Sequence, residues 1–217
     1  MAREYRKNQR TPGRRNTKPR VMKLGNYLIF TDTKNTERYF FEGLKSSLPK
    51  EVQDNIAIKV QATTTKKLIE DCQKTMVYDS QYRSTWIVLD RDRVTEFDKI
   101  VEEAERKNIN VGWSNPCFEI WMHAYFGEMP KTNESTQCCS NFSSKFKKIC
   151  KAEYSKSDKL IYKKLKEHGD EEKAISISEK RFRECEINGT NKPSMKLGCT
   201  TVYELVKNIR EAVKRKV

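Results

Sequence analysis

Two runs of apolar and β-branched residues, each stopping at an aspartate, restrict the fold of this chain more than any other feature. Leu28, Ile29, Phe30 and Thr31 lead to Asp32, and Trp86, Ile87, Val88 and Leu89 lead to Asp90 and Asp92. A continuous apolar run of this length, without polar alternation, suits a strand covered on both faces, as in a parallel sheet. The acids then stand at the carboxyl ends of the strands, where ligands of open α/β sheets bind at the point of strand-order reversal. Three carboxylates gathered there repel one another unless a cation lies between them, and magnesium or manganese is the ordinary one.

The remaining pattern agrees with that class. Thr36 can cap a helix that starts at Glu37 and carries Tyr39, Phe40, Phe41 and Leu44, with Leu48-Pro49 ending it. Asn55 to Gln61 alternates as a second strand, and Thr63 to Val77 reads as a helix facing Leu68, Ile69, Cys72 and Met76 inward. Glu96 to Lys107 is a further helix and Ile109 to Trp113 a fourth strand. Strands alternating with helices predict an α/β fold built on a Rossmann-like, parallel, four-stranded sheet.

In the segment SNPCFEIWMHAYF, Asn115 reads as an N-cap and Pro116 as the first helical residue. Glu119 then falls near the first turn, where it either approaches the Asp32, Asp90 and Asp92 cluster or simply stabilises the helix start. His123 shares its face and reads as a hydrogen-bonded structural histidine. Gly127 to Asn141 is polar and turn-rich and marks a boundary. Beyond it, Ser143 to Glu153, Lys159 to Glu167, Asp170 to Cys185 and a final stretch capped by Thr200 or Thr201 look helical and lysine-rich. Too thin in apolar residues for a rich core of its own, this half is expected to cap the sheet. The organisation expected is a flexible basic arm over 1–23, an α/β domain over 24–130 and a basic helical region over 131–217.

Charge bears on the partner. Lys and Arg outnumber Asp and Glu by 44 to 30, a net charge of +14 that favours a polyanion, nucleic acid first. Residues 1–23 hold nine Lys or Arg against Glu4 alone, so Arg14 and Arg15 are candidates for phosphate contacts, with Arg91, Arg93 and Lys163 further along. No apolar run reaches the ~18 residues of a membrane span and the start of the chain is basic and polar, so a cytoplasmic protein without membrane contact is expected. The seven cysteines include no C-x-x-C pair, and a zinc site from Cys138, Cys139 and His168 lacks the spacing of zinc modules; reduced thiols are the plainer reading.

A D-x-D pair alone is common in turns. Here a second strand also ends in an acid on the same predicted sheet edge, and Asp90 and Asp92, two apart on extended backbone, can share a face. Magnesium held by such carboxylates keeps positions open for water and phosphate oxygens, so phosphodiester hydrolysis fits the basic surface.

The motifs IFTDTKNTERYF, WIVLDRDR, SNPCFEIW and the late TTVYELV resemble, in order, those of RloB-like proteins, over about Tyr27 to Val206. S-N-P-C-F-E-x-W at its distance from D-R-D is the most specific part. That family is associated with bacterial anti-phage defence loci and is similar to Toprim domains, the metal-dependent catalytic fold of topoisomerases and primases. The resemblance implies a Toprim-type sheet and places Glu37, Asp90, Asp92, Asn115 and Glu119 on matching motif positions. Asp32 stands where the family carries glutamate, and Thr33 where glycine is usual. It implies a magnesium- or manganese-dependent nuclease cutting RNA, tRNA among them, or DNA, controlled by an ATPase sensor. The alternative is a nucleic-acid-binding or scaffold subunit with a decayed site, docked on such an ATPase.

Overall fold

In the computed structural model, which describes residues 27–31, 35–60, 65–78 and 84–214, the two apolar runs lie side by side at the centre of one sheet. β1 (Tyr27–Thr31) pairs in parallel with β3 (Ser84–Asp90) on one side and β2 (Ile56–Val60) on the other. β4 (Asn110–Asn115) continues the parallel set beyond β3. The order is therefore β2-β1-β3-β4, reversing between β1 and β3, so the ends of both runs meet at the switch point.

A fifth strand, β5 (Cys199–Thr200), pairs antiparallel with β4 through Ser114 and Asn115, so the sheet has five strands among the described residues rather than the expected four. The sequence hides it because it is two residues long and enters through Gly198, whose φ is +65° and whose Cβ would lie 2.5 Å from the Pro130 carbonyl oxygen.

Alternation along the central strands feeds two cores. Leu28, Phe30, Ile87 and Leu89 pack with α3 (Thr65–Tyr78) and α4 (Phe97–Arg106). Tyr27, Ile29, Trp86 and Val88 face the opposite layer, which includes α1 (Thr36–Ser46), the short α2 (Lys50–Gln53) and α5 (Glu119–Tyr125). The lysine-rich helices α6 (Ser135–Cys150), α7 (Ile161–His168), α8 (Glu171–Ile187) and α9 (Val202–Lys214) add to that layer. Phe142, Phe146, Tyr162, Leu165 and Ala174 join one continuous core with Phe40, Phe118 and Trp121. The helices cap the sheet as their sparse apolar positions require, although α6 starts at Ser135, inside the stretch read as a boundary. Gly43 is the close contact between α1 and α7, where a Cβ would meet that of Tyr162 at 2.6 Å.

Two expectations need correction at the carboxyl edge. Asn115 is the last residue of β4, followed by a cis Asn115–Pro116 bond, and α5 begins only at Glu119. β5 prolongs β4 to Asn115, whose Nδ2 donates to the Pro193 and Ser194 carbonyls at 3.2 and 2.9 Å instead of capping a helix. Asp92 is not on extended backbone: Arg91–Arg93 form a 3-10 turn, so Asp90 is buried while Asp92 is exposed. None of the helices among the described residues is long and apolar enough to cross a membrane.

Candidate active site

Asp90 closes β3 at 3% exposure, next to the end of β1. Its parity with Trp86 and Val88 directs it toward the α1 and α5 layer. Asp92, one turn on, donates its backbone N–H to the Pro116 carbonyl at 3.2 Å, tying the acidic turn to the segment that carries Glu119. Glu37 is buried in the first turn of α1. Four of the carboxylates singled out by sequence thus belong to segments that start or stop at one edge of the sheet. Asp32, the fifth, lies outside the described residues, as do Arg14 and Arg15. Arg91 is half-buried in the acidic turn and Arg93 ends that turn. Lys163 is exposed on α7, 3.6 Å from Glu167.

Glu119 is 1% exposed and owes its charge to two residues that sequence reasoning missed. The Tyr154 hydroxyl donates to Oε1 at 2.8 Å, and Lys156 Nζ lies 3.2 Å from the same oxygen. Burial pushes the carboxyl up, but the Lys156 charge and the hydrogen bonds from Tyr154 and Cys117 outweigh it and hold Glu119 below the usual glutamate value. Burial pulls the Lys156 ammonium down and Glu119 raises it further, so both partners stay ionised. Tyr154 also reaches α1: Thr36 Oγ1 lies 3.3 Å from its hydroxyl and 3.3 Å from the Lys156 carbonyl oxygen. Thr36 is therefore the first residue of α1 rather than its cap, its hydroxyl spent on the segment between α6 and α7. The only signal for this pair in the sequence is an isolated aromatic in a polar, lysine-rich stretch.

All seven cysteines are free thiols, and Cys138, Cys139 and His168 form no common site. Cys117 Sγ lies 3.8 Å from Cys139 Sγ, and with a Glu119 oxygen the three ligand atoms fall within 4.8 Å of one another. For Cys117 the hydrogen bond with Cys138 and burial outweigh the opposing bond with Cys139, and for Cys139 the bond with Cys117 and burial act together, so both thiols are pushed up and protonated at neutral pH. Cys138 is buried and uses its carbonyl on His123 Nε2 at 3.4 Å, while His168 is exposed at the end of α7. His123, edge-on to Phe142, is the structural histidine expected.

A family model described as RloB-like protein matches residues 27–209. No curated protein and no solved structure matches the chain.

Proposed function

Because the chain belongs to the RloB-like family, we propose that it is a metal-dependent nuclease of an antiviral defence system, acting on RNA, tRNA included, or on DNA. The observation that supports this reading is the placement of buried Asp90 and the Asp92 turn at the edge where strand order reverses, with the Asp92 amide tied to the Pro116 carbonyl three residues before Glu119. The donor set at the strand ends is all carboxylate, which fits a hard divalent cation; Asp90 and Asp92, with Asp32, would hold magnesium or manganese. Such an ion, when bound, supplies Lewis-acid stabilisation of phosphoryl oxygens and a more acidic water.

The residues do the rest. Glu119, kept anionic by Tyr154 and Lys156, can orient a water by accepting a hydrogen bond from it; its depressed carboxyl value makes it a weak proton acceptor, so its role is positioning. Glu37, in the first turn of α1, contributes negative charge to the same edge. Arg91 and Arg93 flank Asp92, and with Lys163, Arg14 and Arg15 they supply the charge that holds a phosphate backbone. An ATPase sensor partner would control access to the site.

The test is hydrolysis of tRNA, single-stranded RNA and duplex DNA with magnesium or manganese. Activity should disappear with EDTA and in Asp90→Ala and Asp92→Ala variants, and equal degradation by wild type and variants would refute the assignment. A binding or scaffold subunit is the second reading, favoured by the commitment of Glu119 Oε1 to both Tyr154 and Lys156 and by Asp32 being one methylene shorter than glutamate. It predicts salt-dependent binding of nucleic acid that persists without metal and is unchanged by Asp90→Ala.

A further inference from the structure

Neither Cys117 nor Cys139 is placed against substrate or the strand-end cation in the proposed hydrolysis, yet they stand beside Glu119 in an arrangement that a hard-cation site does not need. Cys117 lies in the turn between β4 and α5, Glu119 opens α5 and Cys139 lies on α6, so three segments converge on one point. We propose that Cys117, Cys139 and Glu119 form a binding site for a thiophilic divalent cation of the zinc class, separate from the carboxylate site at the strand ends, whose occupation withdraws Glu119 from catalysis. The binding part stands alone; the inhibitory part rests on the nuclease reading.

Distances carry the argument. A tetrahedral ion with Zn–S bonds of 2.3 Å separates its two sulfurs by about 3.8 Å, and the sulfurs here are 3.8 Å apart. The matching S···O separation is about 3.6 Å. Since the three ligand atoms lie within 4.8 Å of one another, the carboxylate moves little to complete the set. A disulfide would instead require the sulfurs to close from 3.8 Å to about 2.05 Å, bringing α6 toward the β4–α5 turn. The second thiol pair, Cys185 and Cys199 at 3.4 Å, belongs to no such three-ligand group among the described residues.

Two thiolates and one carboxylate suit zinc or cadmium and disfavour magnesium, which prefers oxygen alone. Tyr154 and Lys156 both bind Oε1 of Glu119, so Oε2 is the oxygen offered to the ion. Lys156, with its side chain 44% exposed, has solvent to swing into when a cation replaces its charge. The two thiol protons pass to buffer as the ion binds, and water takes the fourth position.

The experiment titrates the full chain with cadmium and follows the ultraviolet thiolate-to-cadmium charge-transfer band, with excess magnesium present. One equivalent should produce the band in wild type and in Cys185→Ser. Cys117→Ser and Cys139→Ser should each weaken binding more than about 100-fold, beyond the 10- to 100-fold typical of outer-shell changes. Absence of a band in wild type, which depends on no variant folding, overturns the proposal, as does an undiminished band in Cys117→Ser. If manganese-supported hydrolysis is observed, cadmium at one equivalent should inhibit wild type and spare the Cys117→Ser, Cys139→Ser double variant; equal inhibition of both overturns the regulatory part. A band without any hydrolysis sinks the nuclease reading and leaves the site standing.

Discussion

Replacing Tyr154 by phenylalanine removes one oxygen and keeps the ring that packs edge-on against Phe142 at 4.8 Å. The missing atom is a donor to a carboxylate 1% exposed, at 2.8 Å. Hydrogen bonds to charged groups are worth about 1.5–3 kcal/mol, so the variant should lose that much stability at neutral pH. For a chain of this size the loss lowers Tm by about 3–12 °C. The pH dependence identifies the cause. Glu119 has a folded-state value below its ordinary one, so its contribution is present above the unfolded value and is lost as pH falls through the folded one. The gap between wild type and Tyr154→Phe should therefore narrow between neutral pH and a pH below the folded-state value of Glu119, where protonation leaves only a neutral hydrogen bond of about 0.5–1.5 kcal/mol. Urea unfolding at both pH values measures it. A gap of the same size at both would mean that Tyr154 acts through packing or Thr36 and that Glu119 is not held charged by it.

Two further outcomes concern other parts of the molecule. Glu171, 4% exposed, accepts from Tyr125 and Tyr162 at 2.9 and 3.0 Å and from Arg210 Nε at 2.7 Å; Arg210→Met leaves it only Lys166, 3.9 Å away, as a cationic partner and should cost up to about 3–5 kcal/mol in urea unfolding, an unchanged midpoint counting against it. Deleting residues 1–20, rich in Lys and Arg, should leave the thermal transition intact and reduce the slope of log affinity against log salt on duplex DNA by about 0.9 for each phosphate that the arm neutralises; an unchanged slope would exclude the arm from binding.

The central strands and their acidic ends are readable because an apolar run that stops at a charge is a local pattern. Ser84–Asp90 and Tyr27–Thr31 follow it closely. What escapes the sequence is long-range. Asn115 reads as a helix cap until Cys199 arrives from 84 positions away to prolong its strand. Asp92 shares the face of Asp90 only while the backbone is taken as extended, and the turn at Arg91–Arg93 removes that premise. Cys117 and Cys139 are 22 residues apart, without the short C-x-x-C-type spacing that marks zinc modules, and the packing of α6 near α5 joins them. Tyr154 and Lys156 sit outside every periodic segment, so no hydrophobic pattern announces their reach to Glu119.

The late strand β5 also gives the molecule an order of assembly. Thr201 Oγ1 donates to the Val111 carbonyl at 2.8 Å and accepts from the Trp113 amide at 3.0 Å, while Thr200 Oγ1 donates to the Trp113 carbonyl at 2.9 Å. β4 therefore keeps an unsatisfied edge, and Asn115 lacks its carbonyl partners, until residues 193–201 have been synthesised. A nascent chain on the ribosome carries every acidic motif long before it can hold them in place. The carboxyl edge of the sheet is thus among the last parts of the molecule to be completed.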